Sequence, residues 1–238
     1  MHLRGNRPIR SEGQSMNHAL DSAVKSAEEI LTWADEHVQG PIAVTLSMEN
    51  TVLAELANRY LPRADFLFLD TEYHFPETLE VADAVEQRYP QTLVRATAEL
   101  SKKEQDQKYG PMLYMRDPGA CCQMRKVAPL HNTLANYAGW VTGIRRADGP
   151  SRADAPGVSK DAAGRWKISP LIHWSLEDTE AFIQSEGLIR HPLTTQGYPS
   201  IGCATCTLPV SPGDDPRAGR WAGHKKTECG LHVEGARS

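Results

Sequence analysis

Residues 40–71 read GPIAVTLSMENTVLAELANRYLPRADFLFLDT. Gly40-Pro41 opens a short apolar run, Ile42 to Leu46, of the length and β-branched character of a buried strand. Thr51 to Tyr60 then changes period. Val52, Leu53, Leu56 and Tyr60 recur at helical spacing. Phe66-Leu67-Phe68-Leu69 is a second buried run, ending at Asp70. Strand, helix and strand in about thirty residues make one unit of a parallel sheet.

The same alternation continues outward. Pro76 suits the first turn of a helix carrying Leu79, Ala82 and Val85. Thr92 to Ala96 and Trp140 to Ile144 read as further strands, with a helix from Cys122 to Tyr137 between them. Upstream, Leu20, Val24, Ala27, Leu31 and Ala34 share one face of a helix expected from about Asn17 to Val38. Residues 1–16 read as a loose leader. After Arg145 the texture changes to a long loop marked by Gly149-Pro150 and Pro156-Gly157, and Ser175-Leu176-Glu177-Asp178 reads as a capping-box variant. From Thr207 the chain is rich in Pro, Gly, Arg and Lys without apolar period, and 207–238 reads as a flexible C-terminal arm. The expected class is α/β, a Rossmann-like parallel sheet spanning 17–206. Ligands of such sheets bind beyond the carboxyl ends of the strands. That places Ser47, Asp70-Thr71 and Thr142-Gly143 at the ligand.

The net charge of −4 argues against a nucleic-acid or membrane-surface binder, so anion recognition must come from local Arg and Lys clusters. No stretch approaches the ~20 apolar residues of a spanning helix. Met1 to Ala19 lacks the apolar core of a signal peptide, and the expected compartment is the cytoplasm, where thiols stay reduced.

The five cysteines fall as Cys121-Cys122, Cys203-Ala-Thr-Cys206 and Cys229. Four thiolates from two pairs suit zinc or a [4Fe–4S] cluster equally by softness. Adjacent cysteines cannot form the two- to four-residue loop usual between zinc ligands, which favours the cluster. Buried structural thiols are the plain alternative. Cys229 is different, because His224, Lys225, Lys226 and His232 surround it in sequence. Neighbouring cations raise the thiolate fraction of a cysteine, as a nucleophile requires.

These segments resemble a known family. Cys121-Cys122-Gln-Met-Arg125-Lys126, Ser200-Ile-Gly-Cys203-Ala-Thr-Cys206 and Glu228-Cys229-Gly230-Leu231-His232 resemble the two cluster segments and the C-terminal ECGLH signature of the adenylyl-sulfate (APS) reductases. Trp140-Val-Thr142-Gly143-Ile-Arg145-Arg146 and Leu69-Asp70-Thr71-Glu72-Tyr-His74-Phe resemble their nucleotide-side motifs, over nearly the whole chain from about residue 40 and closest to the actinobacterial kind. The resemblance implies a PP-loop fold of the adenine-nucleotide alpha-hydrolase type and a [4Fe–4S] cluster on Cys121, Cys122, Cys203 and Cys206. It further implies attack of Cys229 on the sulfate sulfur of APS. AMP leaves, and reduced thioredoxin cleaves the S-sulfocysteine to sulfite, in assimilatory sulfate reduction and cysteine biosynthesis. Lys126, Arg152, Arg217 and Arg220 match positions that contact the phosphosulfate, chemistry that suits a planar guanidinium fork. His232 is expected to tune Cys229 or orient the incoming thiol. His74 is expected near the adenine, and Trp140 and Trp221 in packing roles.

Two positions depart from the pattern. Glu72 stands where glycine is usual, which threatens to crowd the nucleotide or oppose its charge, and Asn50 stands where an acid is common. The loop Ser47-Met-Glu-Asn-Thr51 also lacks the glycine-rich cradle that ATP cleavage needs. Rival readings are a reductase of the 3′-phosphorylated nucleotide or of both nucleotides, a thiolation enzyme of the same fold, and a non-catalytic zinc-binding or redox-sensing protein. Homo-oligomerisation is left open.

Overall fold

Ile42–Leu46 forms β1, and the strand alternates sides: Ile42, Val44 and Leu46 pack into one core and Ala43 into another. In the computed structural model, which describes residues 12–221, 223, 224, 226, 230 and 231, this strand is central to a six-stranded sheet of order β3-β2-β1-β4-β6-β5. The strands are β2 (Asp65–Asp70), β3 (Leu93–Thr97), β4 (Gly139–Val141), β5 (Val158–Lys160) and β6 (Trp166–Ile168). All neighbours are parallel except β5 and β6, an antiparallel edge pair.

One sheet face is covered by α1 (Glu12–His37), α2 (Val52–Tyr60), α3 (Pro76–Arg88) and α8 (Leu176–Glu186). Their buried residues, among them Ala27, Leu31, Leu56 and Phe182, meet Phe66 and Phe68 of β2 in the larger core. On the other face α7 (Ala128–Leu134) lays Leu130 and Leu134 against Ala43, Leu67, Ala96 and Trp140. Between β3 and α7 run three short helices, α4 (Lys102–Tyr109), α5 (Leu113–Arg116) and α6 (Pro118–Cys122), then a π-helical turn at Gln123–Val127.

The expectations are revised in four places. The first helix begins at Glu12, so it takes in part of the stretch read as a leader. The helix expected over Cys122–Tyr137 starts at Pro118, passes through the π turn and ends at Leu134. The long loop after Arg145 contains β5 and β6, whose three-residue length hides any period. The sheet is therefore not wholly parallel. Finally, residues 207–221 of the expected flexible arm are docked. Leu208 N donates to Gly219 O at 2.9 Å, Val210 N to Gly197 O at 2.8 Å and Trp221 N to Cys206 O at 2.9 Å, and Trp221 is buried. A loop held by backbone bonds and one aromatic needs no apolar repeat. The capping box at Ser175 forms as expected, with its hydroxyl accepting from Asp178 N at 2.9 Å.

Candidate active site

The strand order runs outward from β1 through β2 to β3 on one side and through β4 on the other. The connections therefore diverge between β1 and β4, leaving a crevice beyond their carboxyl ends. A cleft of about 550 Å³ lies there, lined by Ser47 after β1, Leu69 of β2 and Thr142 and Gly143 after β4. Its rim carries Lys126, Arg145, Arg152, Arg217 and Arg220.

The loop after β1 is held without glycines. Met48 is buried with φ +62°, and Thr51 N and His191 N bond Ile189 O and Glu49 O at 3.0 and 2.9 Å, tying the loop to residues 189–191. The Glu49 side chain is packed round by protein yet open to the cleft, and accepts from Ile201 N at 3.2 Å. Desolvation raises its pKa above the usual carboxylate value, against the pull of Ile201 N–H, Arg145 and Arg220. Asp148 fastens two of the rim cations: Arg145 Nε donates to it at 2.9 Å and Arg152 Nη1 at 2.8 Å. Arg220 Nη1 donates to Ser200 Oγ and Ile201 O, both at 3.2 Å, and its guanidinium lies 4.8 Å from the centre of the Trp221 ring. This requires Gly202, because a Cβ there would stand 2.2 Å from Arg220 Nη2.

Cys121 and Cys122 end α6, whose first turn is fixed by Pro118 and by Asp117 accepting from Ala120 N at 2.9 Å. Cys203 and Cys206 bracket a single 3₁₀ turn, held to the turn after β2 by Ala204 N donating to Tyr73 O at 2.7 Å. All four thiols, free of disulfides, line one small pocket with Arg125, Lys126, Arg220 and Trp221. Burial first, then repulsion from the other three thiols, pushes the Cys121 thiol up to about 12. Burial likewise raises Cys206. Such a set ionises together only around a cation. Arg125 is buried, and its Nη2 has no hydrogen-bond partner. An orphaned cationic donor beside four thiols fits an anionic iron–sulfur centre.

Ser47, Lys126, Gly143, Arg152, Arg217 and Arg220 all line the cleft. Asp70 and Thr71 do not. Thr71 is buried with its hydroxyl 3.4 Å from Cys203 Sγ, and Asp70 accepts from Glu72 N at 2.9 Å, so the β2 turn serves the cysteine pocket. Glu72, at φ +58°, neither crowds the cleft nor faces an anion, since its carboxylate pairs with Arg125. Asn50 lines the cleft and also accepts from Val52 N at 3.1 Å, starting α2. Arg146 bonds Ala155 O at 3.1 Å and supports its loop. Trp140 and Trp221 are buried as packing residues and still show an edge to the cleft. His74 lines the cleft with its pKa lowered by burial. Cys229 and His232 lie outside the described residues, but Leu231 packs beside Leu130 and Trp140 and lines the cleft. Glu49, Asp148 and Gly202 escaped the sequence reading. A lone acid or glycine carries no periodic signal, although Glu49 and Gly202 both stood inside quoted segments.

Residues 41–209 match the family model described as the phosphoadenosine phosphosulfate reductase domain. The chain is 51% identical over 216 residues to the adenosine 5'-phosphosulfate reductase of Mycolicibacterium smegmatis, covering 90% of this chain and 92% of that one. It is 50% identical over 208 residues to the Streptomyces coelicolor protein of the same name, covering 87% and 88%. The Staphylococcus epidermidis protein of that name is 41% identical over 218 residues, covering 90% of each. Among solved structures, phosphoadenylyl-sulfate reductase from Candida auris superposes with a TM-score of 0.67 at 23% identity, covering 85% of this chain and 100% of that one. Candida glabrata FMN adenylyltransferase superposes with a TM-score of 0.60 at 17% identity, covering 88% and 74%, and shares the α/β fold. A chain matched over most of its length in sequence and superposable across the same sheet belongs to the phosphoadenosine phosphosulfate reductase family.

Proposed function

We propose that the chain reduces adenylyl sulfate to sulfite and AMP in sulfate assimilation, with Cys229 as nucleophile and reduced thioredoxin as electron donor. One observation carries the reading: Lys126, Arg220 and Trp221 line both the cleft and the cysteine pocket. A nucleotide seated at the β1–β4 crevice, with its phosphosulfate among Lys126, Arg152, Arg217 and Arg220, has its sulfate end beside the cysteines. The guanidinium forks hold the phosphate and sulfate oxygens and stabilise the charge that moves onto the leaving phosphate. Cys229 thiolate attacks the sulfate sulfur. The S–O bond breaks, AMP departs, and the sulfonate stays on Sγ. Leu231, two residues on, already lines the cleft. A thioredoxin thiolate then attacks Sγ, sulfite leaves, and the second thioredoxin thiol resolves the mixed disulfide, supplying two electrons.

Cys121, Cys122, Cys203 and Cys206 would hold a [4Fe–4S] cluster. When bound, the cluster supplies fixed charge near the sulfate end rather than electrons. Zinc ligands are usually separated by a loop of two to four residues, which adjacent cysteines cannot form, whereas separate irons accept two neighbouring thiolates. Reduced thiols at both places suit the cytoplasm.

The test is an anaerobic assay of brown, iron-loaded protein with reduced thioredoxin. Adenylyl sulfate should yield sulfite and AMP in equal amounts, and the 3′-phosphorylated nucleotide far less. Preference for the latter, or colourless and fully active protein, would contradict the reading.

A further inference from the structure

Arg125 is the most deeply buried cation beside the thiols, 1% exposed, and a buried charge needs a partner. Its three nitrogens are used unequally. Nε donates to Gln105 Oε1 at 2.7 Å, and Nη1 pairs with the Glu72 carboxylate. Nη2 is buried without a partner. The guanidinium also lies 5.6 Å from the centre of the Tyr73 ring. The same Glu72 oxygen accepts from Lys102 N at 3.0 Å, so one carboxylate ties the start of α4 to the arginine. Glu72 does this from φ +58°, where a glycine rests more easily. Any side chain there carries a conformational cost. What it obtains in return is the contact with Arg125.

From this geometry we infer that Glu72 is a positioning residue for the cysteine pocket: with Gln105 and Tyr73 it clamps Arg125 so that Nη2 donates to the thiolates of the bound cluster. Glu72 touches neither substrate nor thiol, and acts only through the arginine. The side chain is 42% exposed, so its charge is partly screened and the effect is orientation more than field. The inference rests on the cluster reading above.

Two variants test it on the full, anaerobically loaded protein. Glu72→Gly suits the local backbone and removes the clamp, whereas Glu72→Gln keeps size and removes charge. Resonance Raman of the native protein should show iron–cysteine sulfur stretches, and their absence would defeat the cluster reading itself. With those bands present, Glu72→Gly should move them to higher frequency, since lost donation to a thiolate strengthens its bond to iron. Bridging-sulfide bands should move less, and Glu72→Gln should fall between. Iron release to a chelator should quicken about two- to fivefold in Glu72→Gly, the upper span of a half-exposed charged contact. Bands and release rates equal to native in both variants would overturn the inference and leave the cluster standing.

Discussion

Glu49 shows how a single residue reports on the cleft. It stands among Arg145, Arg220 and Asp148, and desolvation still outweighs the cations, so its carboxyl is harder to ionise than in the unfolded chain. A group with a raised folded pKa stabilises the fold most while protonated, below its ordinary value of 4.5, and loses that contribution as pH rises through the raised value. Glu49→Gln, which cannot ionise, should melt close to native near about pH 4 and progressively above native by about pH 7. Melting curves across that range decide the point, and a gap independent of pH would mean that Glu49 ionises as it does in water. At this scale the cysteine pairs and the cationic rim were readable because their residue types have few other uses. Thr71 and Glu72 were not. Their neighbours in sequence belong to the nucleotide turn, but their side chains turn back towards Cys203 and Arg125. Direction after a strand end depends on backbone angles that residue type does not reveal.

Elements were legible in proportion to length and burial. β1 and β2 sit within a core on both faces, so continuous apolar runs marked them. β5 and β6, three residues each at the antiparallel edge, had no period to show, and the π turn at Gln123–Val127 is invisible to a helical template. That turn has a consequence for the site. It puts Arg125 in the cysteine pocket and Lys126 in both the pocket and the cleft, although the two are adjacent. π turns recur at functional sites for this ability to re-aim side chains. The element that supports the cleft floor is α2, whose Leu56 is fully buried against the sheet. Leu56→Ala should cost about 2–5 kcal/mol of unfolding free energy. Urea denaturation is the check, and a loss under about 1 kcal/mol would mean that the core around α2 closes over the gap.

For the molecule as a whole, the fold brings two sites encoded far apart into contact. The cleft belongs to strand ends near residues 47 and 143, the pocket to Cys121–Cys122 and Cys203–Cys206, and the docked loop 207–221 supplies Arg217 to the cleft and Arg220 and Trp221 to their shared wall. This loop was expected to move as part of an arm. Its docking shortens the link to Cys229, because Trp221 is anchored and the eight residues from it span at most roughly 28 Å when extended. That length still lets one thiol meet a bound nucleotide and then a second protein. The measurement that bears most directly on the account is the mass of the protein after adenylyl sulfate is added without thioredoxin. The account predicts a single stable adduct, heavier by one SO₃ group, confined to the Cys229 peptide and removed as sulfite by reduced thioredoxin. Cys229→Ser should bind the nucleotide and form neither adduct nor sulfite. An adduct on any other cysteine, or turnover by Cys229→Ser, would contradict it.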